Sequence, residues 1–222
     1  MIKANKRGIV IAVDGPSASG KGTLSRRVAH QLGYDYLDTG LLYRAVAAEV
    51  IKNDVDLDDI EGIIKLVPQL DIRMLNSKEL GTEEIGAIAS QVAILPKLRQ
   101  ALYDIQRDFA LNKPGVIVDG RDIGSVIFPD AECKLYITAN VEVRAMRRFK
   151  QLQELGKYAT YERVLQDLKA RDARDYMRDS APLLVACGAI VIDTSELSIS
   201  EAVSLMLREI RNCFDINYID YD

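Results

Sequence analysis

Histidine is almost missing from this chain: His30 stands alone among 222 residues. It falls near the end of a helix-like run, where packing or a contact with the helix's negative end accounts for it. His-dependent triads and most zinc chemistry are thereby excluded. Cysteine is scarce. Cys133, Cys187 and Cys213 are odd in number and far apart, with neither metal-ligand nor C-x-x-C spacing, so buried reduced thiols are expected. No apolar run approaches the length of a membrane-spanning helix, and no membrane partner is expected. Residues 1–7 are basic, but only five apolar residues follow, with no cleavage pattern. A signal peptide is not expected, and the cytoplasm is the expected compartment. Positive charge is not in excess either: 29 Lys and Arg face 33 Asp and Glu, a net charge of −4. That argues against a surface dedicated to a nucleic acid polymer and leaves room for a local basic cleft that holds a mononucleotide. There is no internal repeat and no low-complexity linker.

What is present begins with the run Gly8-Ile9-Val10-Ile11-Ala12-Val13-Asp14-Gly15-Pro16-Ser17-Ala18-Ser19-Gly20-Lys21-Gly22-Thr23. The apolar, β-branched residues 9–13 predict a strand buried on both faces, as in a parallel sheet. Residues 23–32 place Leu24, Val28 and Leu32 at helical spacing. Strand, glycine-rich loop and helix in that order form a phosphate cradle. Gly15 and Gly20 allow backbone conformations and approaches that a Cβ forbids. The loop N–H groups then converge on phosphate oxygens at the positive end of the helix. Lys21 supplies a cation and Thr23 a hydroxyl. The ending departs from G-x-x-x-x-G-K-[ST], because Gly22 occupies the Ser/Thr position.

Further along, strands are predicted at 34–37, 116–118, 134–138 and 188–193, with another short one at 71–75. Helices alternate with them, so the fold class is α/β with a mainly parallel five-stranded sheet and helices on both faces. The chain length fits a single domain, 1–222. Residues 52–100 read as one insertion in it and residues 149–162 as another. Residues 116–122 form the second informative stretch: an apolar run ends in Asp119-Gly120-Arg121-Asp122, where a sheet presents its strand ends. Asp119 is placed like the acid that supports a metal in phosphate-loop proteins. From Arg144 to Arg178 ten Lys and Arg face five Asp and Glu. Two basic helical arms joined around Gly156 read as a lid that closes on phosphate, carrying Arg144, Arg147 and Arg148. Arg171, Asp175 and Arg178 share one helical face.

Taken together, these residues resemble the bacterial cytidylate kinases over most of the chain. The likeness rests on Asp14-Gly15-Pro16-Ser17, Gly20-Lys21-Gly22-Thr23, Leu37-Asp38-Thr39-Gly40 with Tyr43-Arg44, and Ser90-Gln91-Val92-Ala93 with Pro96 and Arg99. Asp119-Gly120-Arg121-Asp122-Ile123-Gly124 and Arg171-Asp172 with Asp175, Arg178 and Ala181-Pro182-Leu183 complete it. The resemblance implies the phosphate-loop nucleoside-monophosphate-kinase fold, with 52–100 as the monophosphate-binding insert and 149–162 as the lid. It implies phosphoryl transfer from ATP to CMP and dCMP with Mg²⁺. Gly15, Pro16, Ser17, Ala18, Ser19, Gly20, Lys21, Gly22 and Thr23 would hold ATP. Thr39, Arg99 and Asp122 would face the cytosine, Ser90, Arg171 and Asp175 the sugar, and Arg44, Arg121 and Arg178 the monophosphate. Lys21, Arg121 and Arg178 would act on the transferring group. Thr23 and Asp119 would support the metal, directly or through water. The expected oligomeric state is a monomer. Thr39 stands where the family often has Ser, Ala18 where a third loop glycine is common, and the span 73–90 is short.

Cytosine offers an N4 donor that Asp122 accepts, and N3 and O2 acceptors that suit Arg99; uracil reverses the first pattern. Two other functions fit the same loop. One is a kinase for a different acceptor, against which Ser90, Arg99 and Asp122 stand together. The other is an ATP- or GTP-hydrolysing switch. No N-K-x-D guanine-reading motif is present, and the acceptor-side arginines would have no task in such a switch.

Overall fold

The computed structural model describes residues 8–70, 75 and 79–219; side chains are described up to residue 214. Most of the short strand expected at 71–75 lies outside the described residues. The sheet has five strands: β1 (Ile9–Asp14), β2 (Asp35–Asp38), β3 (Gly115–Gly120), β4 (Cys133–Thr138) and β5 (Ile190–Asp193). Their order is β2-β3-β1-β4-β5, and every pairing is parallel. β1 and β3 are buried along almost their whole length, as strands covered on both faces must be. The parallel register aligns the C-terminal ends. Asp14 lies opposite Gly120, and Asp38 opposite Asp119. Four strand-end acids, Asp14, Asp38, Asp119 and Asp193, thus stand along one edge, where ligands bind in such sheets.

Helices α1 (Lys21–Leu32) and α8 (Ile199–Ile219) cover one face, where Leu24, Val28, Met206 and Ile210 meet Ile11, Ile117 and Leu135. The other face buries Val10, Ala12, Val116 and Val118 against Ile127 and Phe128. Residues 52–100 hold α3 (Ile60–Leu66), α4 (Glu83–Val92) and the start of α5 (Pro96–Asp108). These pack with α2 (Thr39–Lys52) around a core of their own, including Leu42, Val46, Ile63, Val92 and Leu98. Thr82 caps α4 by accepting from Ile85 N. Pro96 opens α5 at a position where a missing N–H costs nothing. The basic arms are α6 (Val141–Glu154) and α7 (Tyr161–Met177), a hairpin closed by Ala145, Leu152, Val164 and Leu168. The turn between them is exposed, Tyr158 almost completely.

One expectation is corrected. The thiols were expected to be reduced, but β4 and α8 bring Cys133 and Cys213 together as a disulfide, with Cα atoms 5.6 Å apart. Their separation of 80 positions hides this pairing from any reading by spacing. Cys187 remains free and is exposed rather than buried.

Candidate active site

The phosphate loop runs from the end of β1 to the start of α1. Gly15 is there because a Cβ would lie 2.0 Å from the Ile137 carbonyl oxygen. Gly20 caps α1 in the left-handed region at φ 90°. Ala18 also has positive φ, 59°, which is why glycine suits this position; its methyl packs on the α6–α7 hairpin. The loop's carbonyls are occupied from behind. Pro16 O accepts from Lys21 Nζ, Ser17 O from Arg144 Nη1 and Ser19 O from Thr194 Oγ1. With the carbonyls held away, the N–H groups and the first turn of α1 are free to face an anion.

Acids at the ends of β2 and β3 stand beside this loop. Asp119 accepts from Tyr36 Oη at 2.7 Å. Burial and Asp38 push its carboxyl up, against the pull of Lys21 and Tyr36. Burial and then Arg121 push the Lys21 ammonium down, while Asp119 and Asp38 hold it up. Burial and the two carboxylates push the Tyr36 phenol up, so it stays a donor. Asp14 is buried at the end of β1 and accepts from the amides of Ile123 and Gly124, both at 2.8 Å. It thereby holds the chain just after Arg121 and Asp122.

Two cavities meet at the loop. The larger, about 480 Å³, lies between the loop, α4 and the α6–α7 hairpin. The smaller, about 180 Å³, runs deeper toward Asp122. Ser17, Lys21, Asp38, Arg44 and Arg171 line both. All nine acceptor-side residues singled out in the sequence line the smaller one. Asp122, 5% exposed, pairs with Arg99 and lies 3.6 Å from Arg178 Nη2. Arg121 Nε donates to Asp175 at 2.8 Å. Burial works to raise the Asp175 carboxyl, but Arg121 and Arg171 hold it below the usual range. Arg44 donates to the carbonyls of Leu80 and Thr82. Thr39 Oγ1 donates to the carbonyl of Asp119 rather than capping α2. Ser90 accepts from Arg174. Arg171 Nε and Arg178 Nη2 are buried with no hydrogen-bond partner. Burial and the neighbouring Arg121 push Arg171 down to about 10. Buried guanidinium nitrogens left without a hydrogen-bond acceptor call for an anion.

The three arginines of the basic arm separate. Arg144, 5% exposed, ties Ala139, Ser17 and Asp172 together and lines neither cavity. Arg147 bonds to Thr194 and faces a third cavity of about 520 Å³ on the other side of the loop. Of the three, only Arg148 lines the cavity of about 480 Å³ between the loop, α4 and the hairpin, paired with Glu83 of α4. Thr23 is exposed between the two outer cavities. The structure adds Tyr36, Asp38, Asp172 and Arg174, together with Asp14, which the motif contains without a role. The signal for Asp14 and Asp38 was an acid that ends an apolar strand. Arg174 gave none.

A protein-family model described as Cytidylate kinase matches residues 11–212. The chain is 50% identical over 193 residues to the cytidylate kinase of Caulobacter sp. (strain K31), covering 87% of this chain and 89% of that protein. It is 50% identical over 199 residues to the cytidylate kinase of Azorhizobium caulinodans, covering 90% and 96%. Among solved structures, an uncharacterized protein from Eubacterium ventriosum shares the fold with a TM-score of 0.52 at 13% identity, covering 96% of this chain and 99% of that one.

Proposed function

The chain belongs to the cytidylate kinase family, and we infer that it transfers the γ-phosphoryl group of ATP to CMP, with dCMP as a second acceptor. The carrying observation is the acceptor cavity: a buried carboxylate, Asp122, between the guanidiniums of Arg99 and Arg178, with the buried Nε of Arg171 left without a hydrogen-bond partner beside them. Asp122 recognises the cytosine N4 donor, and Arg99 and Thr39 complete the base site. Ser90, Arg171 and Asp175 hold the sugar. Arg44, Arg121 and Arg178 hold the monophosphate.

Phosphoryl transfer asks for positioning and charge stabilisation rather than covalent help. The loop of residues 15–23, through the backbone N–H groups of its residues other than Pro16 and through Lys21, holds the ATP phosphates. The γ-phosphoryl group must face the junction that both cavities share, so the adenosine end extends to the far side of the loop, toward Arg147 and Thr194. Arg121 and Arg178 align the CMP phosphate for in-line attack. That phosphate is largely dianionic at neutral pH, so no general base is required. Arg148 is the arginine of the basic arm placed to cover the transferring group. Arg144 acts behind it by holding the Ser17 carbonyl. Closing the cleft excludes water and suppresses ATP hydrolysis.

Hard oxygen donors suit Mg²⁺, which takes one or two carboxylates plus substrate phosphates. Asp119 and Asp38 stand beside Lys21, with the Thr23 hydroxyl on the same loop, and fit that pattern directly or through water. When bound, the ion would neutralise charge that develops on the β- and γ-oxygens. Residues 1–222 act as one kinase domain, with 52–100 as the CMP-binding insert and 149–162 as the moving tip of the lid. A cytoplasmic monomer is the working form. Among the described residues no helix is long and apolar enough to cross a membrane.

The test is ATP consumption with CMP, dCMP, UMP, AMP and dTMP in turn, against a blank without acceptor. Turnover with CMP and dCMP alone is expected. Turnover with another acceptor would keep the kinase and overturn the base site; equal turnover in the blank would point to an ATPase.

A further inference from the structure

Gly22 stands where phosphate loops ordinarily carry a Ser or Thr hydroxyl facing the acid of a neighbouring strand. The space that such a side chain would enter is occupied. A Cβ on Gly22 would lie 3.3 Å from Tyr36 Oη and 3.5 Å from Asp119 Oδ2. The same phenol donates to that carboxylate oxygen at 2.7 Å. Its ring is fixed from two directions. It packs against the core beneath α1, and the Arg26 guanidinium, one helical turn beyond Gly22, sits 5.4 Å from its centroid. A phenylalanine would fill the same core space, so packing alone leaves the hydroxyl unexplained.

We propose that the Tyr36 hydroxyl, delivered from β2, replaces the hydroxyl that Gly22 removes from the phosphate loop, and so positions Asp119 beside Lys21. Tyr36 is a positioning residue: it acts through Asp119 and touches no reacting atom. Gly22 is its complement, because a side chain there would push the phenol off the carboxylate. The proposal rests on the role given above to Asp119 in supporting the metal.

Three variants test it: Tyr36→Phe, Gly22→Ser and the double substitution. Tyr36→Phe keeps the ring and is expected to lower kcat with CMP about tenfold while KM for CMP stays unchanged. Removing a partner that orients a ligand typically costs at least that much in metal affinity. Mn²⁺ binding to the ADP-loaded protein, read from the free-ion EPR signal, should weaken about tenfold as well. Gly22→Ser alone should also be impaired, since its side chain meets Tyr36. The double variant has both the space and a loop hydroxyl, and should recover most of the loss in both readouts. Parent-like kcat and Mn²⁺ affinity in Tyr36→Phe would overturn the proposal. So would a double variant no better than the product of the two singles, which is what mere packing damage predicts. A parent protein that does not turn over CMP would defeat the functional reading instead, and the Mn²⁺ measurement would still decide this one.

Discussion

At the scale of single residues, Lys21 and Asp122 carry the sharpest expectations. Lys21 is held close to Asp119 and Asp38 on one side and repelled by Arg121 on the other. Lys21→Ala should lower kcat by about 10²–10³, the usual loss when one stabilising donor to a transition state is removed. Its melting temperature should change little, and a variant that turns over at the parent rate would remove Lys21 from the mechanism. Asp122→Asn retains the shape and replaces one acceptor oxygen with a donor. The ratio of kcat/KM for CMP over UMP should fall at least about tenfold, because an unpaired buried polar group dominates such discrimination; an unchanged ratio would take Asp122 out of base recognition. Asp14 gives a prediction in pH. Burial pushes its carboxyl from 3.8 up to about 6, although the Ile123 and Gly124 amides and Lys21 pull the other way and Asp122 adds to the rise. The folded state therefore disfavours the ionised form. The stability that Asp14 contributes is full below its unfolded pKa and is lost as pH rises through about 6. The stability of the parent minus that of Asp14→Asn, from urea unfolding, should fall by on the order of 1 kcal/mol between pH 5 and pH 7.5. The opposite slope would mean that the two amides keep the carboxylate ionised.

At the scale of elements, the two helical additions to the sheet each have a core of their own. Elements packed this way can move as bodies against the sheet. They touch across the cleft through Arg148 and Glu83 and through Arg174 and Ser90. The turn between α6 and α7 contains exposed Lys157. Trypsin should cut there readily in the free protein and several-fold more slowly with ADP and CMP bound together, as seen by mass spectrometry of the fragments. Equal cleavage with and without ligands would rule out closure of this hairpin. The helices themselves were legible because their signals are local, such as Thr82 before Glu83 and Glu84 and Gly33 at a helix end; Pro96 reads as a break before a helix from Leu98, whereas it is the first residue of that helix. The partners of the arm's arginines were not legible. Arg144 and Arg148 are one helical turn apart in sequence. Which of them meets the cavity and which meets Ser17 depends on how α6 rolls against the loop, and that is set by Ala145 and Leu152 packing on α7.

At the scale of the whole molecule, the C-terminal helix is fastened to the sheet by the Cys133–Cys213 disulfide. A cross-link that closes a loop of this size is worth roughly 2–4 kcal/mol. A reducing agent should then lower the melting temperature by at least about 5 °C in a chain of this length, and Cys133→Ser should melt at the reduced value with or without it. Identical melting of the parent in both conditions would restore the reading of two reduced thiols.

The sequence alone determined the sheet class, the phosphate loop and the acidic strand end at Asp119-Gly120-Arg121-Asp122. Each of these is written in contiguous residues: an apolar run, a glycine-rich turn, an acid at a strand end. What only the tertiary structure decided is which side chains complete one another across distant segments. Tyr36 meets Gly22 and Asp119 because β2 lies beside β3 and α1 packs over both. Arg99 meets Asp122 because α5 returns to the end of β3. Cys133 meets Cys213 because α8 closes over β4. Such pairings follow from strand order and helix packing, which depend on burying all the apolar faces at once, and no local spacing encodes them.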